Sequence, residues 1–395
     1  MSGAPLLLGP HFTTLPPLGL YVHLPWCVKK CPYCDFNSHE GPGLEEHSRF
    51  EAYVDALLAD LESELPQIWG RTVQTVFLGG GTPSLFPPEA IERLLAGIRA
   101  RVRLAPDAEI TMEANPGTFE RERFEGYRAA GINRLSLGVQ SFRAEKLRAL
   151  GRIHSGQEAQ AALEAAVTLF ERVNVDLMHA LPGQSVDEAL ADVATALAHG
   201  VGHLSCYQLT LEPNTVFAKK PPPGLPDHDT AAEIAEAIEA RLAAAGLEHY
   251  ETSAYARKGE RCRHNLNYWH FGDYLGIGAG AHSKLTRPDP PGIERSERIK
   301  HPREYLARAA RGEAVHERRV VARDEVGFEF MLNALRLVEG FPVSLFAERT
   351  GWPISIVEAP LRAIEAEGLI ERDHRWIRPT ERGRRFLNRA LEHFL

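Results

Sequence analysis

The chain has 395 residues, of which 44% are hydrophobic and 25% charged, as in a folded globular protein with material for one large domain and one smaller one. Its longest apolar runs fall far short of the roughly 18 residues of a membrane span, and its start lacks the basic and apolar segments of a secretory signal. A net charge of −8 without a basic stripe argues against a nucleic-acid partner. We therefore expect a cytoplasmic protein without a membrane span, although contact with a membrane surface stays open.

After a flexible, Pro-rich leader over residues 1–17, short apolar or β-branched runs alternate with helical patterns, which predicts βα units around a parallel sheet. Six strands are predicted, at residues 20–24, 73–78, 109–113, 134–139, 173–177 and 203–209. The first two helices carry apolar residues at three- and four-residue steps, and Gly131 and Gly246 are predicted to end later helices. Residues 18–247 are thus expected to form an α/β fold, a partial (β/α)6 barrel of TIM type, two units short of eight.

The remainder of the chain changes character. Residues 248–322 are predicted to be a connecting segment, which is rich in aromatics, Asn and Gly over residues 248–283 and has an exposed polar loop over residues 287–299. Residues 323–395 predict three helices, a hairpin over residues 369–377 and a last helix, a mainly helical, winged-helix-like domain.

Winged-helix modules often bind DNA. Residues 294–395, however, contain 19 Lys plus Arg and 17 Asp plus Glu, a balance that is poor for phosphate contacts. We expect the domain to close over the barrel mouth or to present a partner surface instead.

Three of the five cysteines lie within eight residues directly after the first strand, as Cys27, Cys31 and Cys34 in a C-x3-C-x2-C pattern. Such a cluster does not resemble a disulfide framework. Three thiolates can hold a four-iron cluster and leave one iron open to the amino and carboxylate groups of a small molecule. A zinc site completed by His23 or His39 is the alternative, because zinc also accepts three thiolates and one histidine. The spacing alone does not decide between them.

Polar and glycine residues follow the later predicted strands. Any one of them is explained as a helix cap, but in parallel barrels ligands bind at the C-terminal strand ends. Together they predict a binding rim that comprises the GGGTPS segment at residues 79–84, Glu113, Gln140, Asp176, and Tyr207 with Gln208.

Five motifs in consecutive order carry a family resemblance: YVHLPWC-x3-C-x2-C, GGGTPS, EANPG, GVQSF and LGRIH. They resemble the radical S-adenosylmethionine (SAM) superfamily, and within it the branch of oxygen-independent coproporphyrinogen III oxidase and the haem chaperone HemW, with HemW the nearer of the two. The likeness runs from about residue 18 to the C-terminus.

The resemblance implies a [4Fe-4S] cluster on Cys27, Cys31 and Cys34, an external reductant, and cleavage of bound SAM to methionine and a 5′-deoxyadenosyl radical. Trp26, Phe36 and the barrel wall would keep that radical from water. The SAM-binding residues that it implies are Tyr21, Tyr33, Gly80, Gly81, Thr82, Glu113, Gln140, Arg152 and Asp176.

Two departures argue against the oxidase. That enzyme carries a further cysteine two residues after the third, where this chain has Phe36, and it has a longer N-terminal extension. The resemblance therefore favours a haem-binding chaperone that delivers haem to apo-haemoproteins, including respiratory ones. Oxidative decarboxylation of coproporphyrinogen III is the alternative function. Whether SAM is cleaved in the chaperone role stays open.

The segment CRHNLNYW resembles the HNxxYW motif of the haem chaperones, and the match makes His264 the expected haem ligand, with Tyr268 and Trp269 stacking on the porphyrin. Two alternatives remain at this point. HNLNYW is a packed corner in which His264 satisfies backbone groups, or Cys262 is the ligand, although an inert thiol is the simpler reading of that cysteine.

Overall fold

The computed structural model describes residues 9–41, 47–117 and 120–395, without the side chains of residues 47 and 120. The first eight residues of the predicted leader therefore lie outside the described part. The helices are α1 (His47–Glu64), α2 (Pro88–Arg101), α3 (Glu120–Ala130), α4 (Ala144–Ala149), α5 (Gly156–Leu169), α6 (Val186–Ala198), α7 (Val216–Lys219), α8 (His228–Ala244), α9 (Arg263–Trp269), α10 (Pro302–Ala309), α11 (Arg323–Ala334), α12 (Val343–Thr350), α13 (Glu358–Ala366), α14 (Glu381–Arg385) and α15 (Leu387–Glu392). The strands are β1 (Leu18–Leu24), β2 (Trp26–Cys27), β3 (His39–Glu40), β4 (Thr72–Gly80), β5 (Arg103–Ala114), β6 (Arg134–Gln140), β7 (Arg172–His179), β8 (His203–Gln208), β9 (Glu248–Glu251), β10 (Ala254–Ala256), β11 (Asp273–Ile277), β12 (His282–Pro288), β13 (Pro291–Arg298), β14 (Val315–Val320), β15 (Phe341–Pro342), β16 (Ile370–Arg372) and β17 (Trp376–Pro379).

The main sheet has twelve strands in the order β14-β13-β12-β11-β1-β4-β5-β6-β7-β8-β10-β9. Its centre is parallel from β1 through β4, β5, β6 and β7 to β8, and β11 adds a further parallel strand beside β1. These six central strands are the six predicted from the sequence. The prediction of a partial (β/α)6 barrel with a helical C-terminal domain is confirmed.

Helix boundaries follow local chemistry. Ser155 and Ser185 each cap a helix, and the glutamate three residues later reaches back to the peptide N–H of the cap, as in a capping box. Gly131 and Gly246 have φ of 108° and 78°, which confirms them as the left-handed residues that end α3 and α8. The apolar stripes of α1 and α2 are buried against the sheet, as predicted.

The prediction of an exposed loop over residues 287–299 is wrong. Strands β12 and β13 pair there as an antiparallel hairpin that extends the sheet beyond β11. The polar composition misled because the buried face of this hairpin is itself charged: Lys284 and Arg298 are 1% and 0% exposed. The predicted connecting segment, residues 248–322, likewise holds six strands of the main sheet.

A buried charge cluster joins this hairpin to α1. The guanidinium of Arg298 donates from Nε to Asp60 Oδ1 at 3.3 Å and lies 3.5 Å from Glu64 Oε2, with all three side chains shielded from water. Tyr305 donates from its hydroxyl to Asp60 Oδ2 at 2.9 Å. Burial raises the pKa of Asp60, and the charge of Arg298 opposes that shift.

The C-terminal domain touches the main sheet on both sides of the incomplete barrel. Leu337 forms a bridge with Glu251 of β9, at one edge of the sheet. Glu329 of α11 pairs with Arg295 of β13 near the other edge, at 2.8 Å from its Nε. The domain thus spans the gap that the missing barrel strands leave. None of the helices described here has the length and apolarity to cross a membrane.

Candidate functional site

The cysteine loop lies at the C-terminal end of β1 and is held at its base by the short pair β2 and β3. Each of its three sulfurs has a neighbouring donor group. Thr82 Oγ1 lies 3.5 Å from Cys27 Sγ, Ser38 Oγ lies 3.6 Å from Cys34 Sγ, and a guanidinium nitrogen of Arg152 lies 3.7 Å from Cys31 Sγ. Hydroxyl and guanidinium donors of this kind stabilise sulfur once it carries negative charge.

The three thiols line one cavity, but within the described part of the chain no three histidine, cysteine or acidic side chains stand close enough to share one metal ion. A zinc site requires donors at about 2.0–2.3 Å around a single ion. Three cysteine thiols on the wall of one cavity are the donor set that a [4Fe-4S] cluster with one open iron requires. These residues therefore fit the cluster.

The two histidines considered as a fourth zinc ligand are engaged elsewhere. His23 has its Nδ1 2.9 Å from the Tyr21 hydroxyl and its Nε2 2.9 Å from the carbonyl oxygen of Asn37. His39 has its Nε2 3.1 Å from Asn37 Oδ1. Burial lowers the pKa of His23 to about 4, so the ring is neutral, and its two hydrogen bonds hold it in place beside the loop.

The cavity has a volume of about 640 Å³ and runs from the cysteine loop into the barrel. Its wall includes the predicted rim residues of strands two to six. It brings together Cys27, Cys31, Tyr33, Cys34, Gly80, Gly81, Thr82, Glu113, Gln140, Arg152, Asp176, Tyr207 and Gln208. Of the predicted site residues, Tyr21 and His264 are not among its lining residues.

The glycines after β4 have a packing role that the sequence did not reveal. A Cβ atom on Gly81 would stand 2.6 Å from the carbonyl oxygen of Trp26, and one on Gly80 would stand 2.6 Å from the ring of His23. Gly80 also has a φ of 119°, which strongly favours glycine. These glycines let the β4 turn lie directly against the cysteine loop.

Two carboxylates face the cavity below the glycines. Burial raises the pKa of Glu113 to about 8, and the nearby Asp176 adds to the shift, while the peptide N–H of Gly80 donates to Glu113 Oε2 at 3.1 Å and opposes it. Burial also raises the pKa of Asp176, which accepts from the Ser136 hydroxyl at 3.1 Å. A cationic group placed between these two carboxylates would relieve their mutual repulsion.

Arg152 and Gln140 complete the upper wall. The Arg152 guanidinium donates to Asn115 Oδ1 at 2.6 Å and to the carbonyl oxygen of Gly138 at 2.7 Å, which fixes it beside Cys31. Gln140 has a left-handed backbone with φ of 69° and lies 3.4 Å, through Oε1, from the Tyr207 hydroxyl. Both side chains are therefore held in place before any ligand binds.

Among the polar residues of this cavity that were not assigned from the sequence are Asn115 and Arg134. Asn115 accepts from Arg152 and donates to Thr82 Oγ1 at 2.9 Å, so it links two of the three groups that stand beside the cysteine sulfurs. Arg134 is only 2% exposed, and its guanidinium makes no hydrogen bond to any residue that the structure describes. The sequence signal that could have identified Arg134 is a charged residue at the start of a strand that is otherwise buried.

His264 lies on α9, and its ring is buried against β4. It is 1% exposed, its Nδ1 stands 2.7 Å from the Thr75 hydroxyl, and its Nε2 stands 2.9 Å from the Tyr268 hydroxyl. Its peptide N–H donates to Glu109 Oε1 at 3.0 Å. The expectation that His264 ligates haem is not supported by this geometry, because both ring nitrogens are occupied. The packed-corner alternative is closer to this arrangement, although the ring bonds two side-chain hydroxyls rather than backbone groups and Tyr268 and Trp269 are only half-buried.

Comparison with known proteins places this geometry in a family. Residues 21–196 match the model of the radical SAM superfamily, and residues 321–386 match the HemN C-terminal domain. A heme chaperone HemW from Escherichia coli (strain K12) is 50% identical over 382 residues, which cover 96% of this chain and 99% of that protein. The chain belongs to the HemW family of radical SAM proteins.

Other HemW relatives match over the same span. The heme chaperone HemW of Haemophilus influenzae is 47% identical over 96% of this chain and 98% of its own length. Among solved structures, coproporphyrinogen III oxidase (HemN) from Escherichia coli superposes with a TM-score of 0.80 at 24% identity, over 96% of this chain and 90% of that one. At that identity the likeness establishes the fold of this HemW-family chain, and the HemW relatives establish the branch.

Proposed function

We propose that this protein is a haem-binding chaperone that acts in the cytoplasm and transfers haem to apo-haemoproteins, including respiratory ones. It would carry a [4Fe-4S] cluster and SAM. The observation that carries this proposal is the 50% identity to a protein named heme chaperone HemW across nearly the whole length of both chains. The half-buried free cysteines of the loop agree with a reducing compartment.

Cys27, Cys31 and Cys34 would hold the cluster. When bound, the cluster would supply the electron, received from an external reductant, for any cleavage of SAM. The protein's own part is to stabilise thiolates and to exclude water. Thr82, Ser38 and Arg152 each place a donor near one sulfur. Trp26 packs against Tyr53 and Phe86 behind the loop and would exclude water from that side, whereas Phe36, expected to help, is 60% exposed.

The cavity below would hold SAM. The methionyl end carries an ammonium and a carboxylate, which suit a cavity that offers both charges. Glu113 would accept from the N–H of the methionyl amino group beside the Gly80 turn, and Asp176 would be a second acceptor, for ribose hydroxyls. Tyr33, Thr82 and Gln140 would line the same space. Tyr21 would act indirectly, since its hydroxyl positions His23 against that turn.

Glu113→Gln is expected to weaken SAM binding by about 10–100-fold at pH 8.5, because a hydrogen bond to a charged group contributes about 1.5–3 kcal/mol. In the wild type the pKa of Glu113 is about 8. Below that pH, SAM must expel a proton from Glu113, so the wild-type Kd should rise about tenfold for each pH unit of acidification. Titration calorimetry from pH 6 to 9 measures both effects.

Asp192→Asn is the matched control. Burial also raises the pKa of Asp192, but this carboxylate binds Ser141 and the peptide N–H of Phe142 outside the cavity. It should leave SAM affinity and its pH dependence unchanged. If Glu113→Gln keeps the slope of the wild type, Glu113 does not bind the amino group.

The chaperone role predicts stoichiometric haem binding and onward transfer. Purified protein should bind one haem per chain and pass it to an apo-haemoprotein probe such as apomyoglobin, followed by the absorption of the acceptor. His264→Ala should still bind haem. Its free energy of unfolding should fall by about 1–3 kcal/mol, and it should therefore unfold at a lower temperature, because Thr75 and Tyr268 lose their buried partner.

Failure of the wild type to bind haem would contradict the chaperone role. The alternative function has its own test. Anaerobic incubation with coproporphyrinogen III, SAM and a reductant should yield no protoporphyrinogen, in keeping with Phe36 at the position of the oxidase's further cysteine. Formation of that product would replace the proposal with the oxidase.

A further inference from the structure

A second cavity of about 760 Å³ lies beside the first, on the open side of the barrel. Its wall combines the cysteine loop, α9, strands β11 to β13 and one residue of α11. Gly80, Glu113, Phe36 and Trp269 line both cavities, so the two spaces share a wall. We call this second space the side cleft. Its volume lies within the range of sites that hold organic cofactors.

One imidazole in the side cleft is free to bind a ligand. His282, on β12, is solvent-exposed, and neither of its ring nitrogens is hydrogen-bonded to another residue in the described ranges. Burial by its neighbours lowers the pKa of His282, Lys300 adds to the shift, and Glu297 opposes it. This direction favours the neutral imidazole, which keeps a lone pair for a metal. The other imidazole of the cleft, His23, has both nitrogens engaged.

The rest of the cleft is lined mainly by aromatic and cationic side chains, with Asp35 and Glu113 as its two acidic residues. Phe36 is 60% exposed on the cysteine loop, which is unusual for a large apolar side chain unless it meets a partner. Tyr268 and Trp269 face the same space from α9. Lys30 and Lys300 stand at its surface, and Lys284 is paired with Asp273. Lys300 Nζ lies 2.9 Å from Glu297 Oε1, and Lys30 donates to the carbonyl oxygens of Phe36 and Ser38, so both would exchange these contacts for a ligand's carboxylates. Flat apolar walls with cations at the edge suit a planar, dianionic macrocycle.

We propose that the side cleft is the haem site and that His282 supplies the axial nitrogen to the haem iron. The aromatic residues would pack on the macrocycle, and Lys30 and Lys300 would pair with its two carboxylates. This inference rests on the proposed chaperone function and names the site for its cargo. Because Glu113 lines both cavities, haem in the side cleft and SAM in the first cavity would contact opposite sides of the same wall.

The test is a haem titration followed by absorption and electron paramagnetic resonance spectra. His282→Ala should lower haem affinity by at least about tenfold, the scale seen when metal sites lose supporting contacts, and should remove the signature of an imidazole-ligated iron. Added imidazole should restore that signature in His282→Ala. His316→Ala is the matched control, because His316 is an exposed histidine on β14 that does not line the cleft.

The outcomes separate the two proposals. If the wild type binds no haem, the chaperone function itself fails. If the wild type binds haem and His282→Ala keeps both its affinity and its imidazole signature, the function stands and the side-cleft assignment is overturned. An equal loss in His316→Ala and His282→Ala would also overturn it, because the effect would then not depend on the cleft.

Discussion

Serine in place of any one of Cys27, Cys31 or Cys34 is expected to abolish the iron–sulfur cluster. After anaerobic reconstitution, iron and acid-labile sulfide should fall from about four of each per chain to near zero, since a hydroxyl is a poor substitute for a thiolate on iron. SAM binding should weaken in the same variants, because the open iron that chelates its amino and carboxylate groups is lost. Metal and sulfide assays combined with calorimetry measure both losses.

Cys206→Ala is the control for this experiment, because Cys206 is a free, buried cysteine on β8 outside the loop. It should keep the full iron and sulfide content. A wild-type protein that contains one zinc and no sulfide would contradict the cluster. So would a loop variant that keeps its full iron content and SAM affinity.

Arg298→Met should lower the free energy of unfolding by about 3–5 kcal/mol, the usual cost of breaking a buried ion pair from one side. The substitution leaves Asp60 and Glu64 buried without their common partner. The pKa of Asp60 is already raised by burial. Without Arg298 it should rise further, so protonation relieves the variant and its deficit should shrink as the pH falls from 7 towards 5.

Urea unfolding at both pH values measures this effect. Arg311→Met, at an exposed arginine, is the control and should stay within about 0.5 kcal/mol of the wild type. The double variant Asp60→Asn/Arg298→Met should be less destabilised than the sum of its single variants, because it removes the uncompensated charge. Strict additivity would show that the two groups do not depend on each other.

The parallel core could be predicted because its strands are buried on both faces and read as short apolar runs between helical patterns. Such local signals predicted the six parallel strands β1, β4, β5, β6, β7 and β8 and the glycines that end α3 and α8. The residues that gather at the cavity were also predictable, because the C-terminal ends of parallel strands meet at one edge.

What the sequence did not predict depends on contacts between distant segments. The hairpin of β12 and β13 reads as a polar loop because Arg298 and Lys284 find their carboxylate partners on α1 and on β11. The hydrogen bonds of His264 could not be predicted either, since Thr75 lies 189 positions earlier in the chain. Periodicity reports which residues are apolar, and it does not report which charges meet.

The open sheet has two edge strands, β14 and β9, and they are protected in different ways. On β14, residues 316–320 are all exposed and mostly charged, which discourages another chain from adding a strand there. The short strand β9 instead receives Leu337, and the peptide N–H of Val338 donates to the carbonyl oxygen of Tyr250 at 3.1 Å. The C-terminal domain thus occupies hydrogen-bonding positions that an unrelated strand would otherwise take, and it protects the barrel from edge-to-edge aggregation.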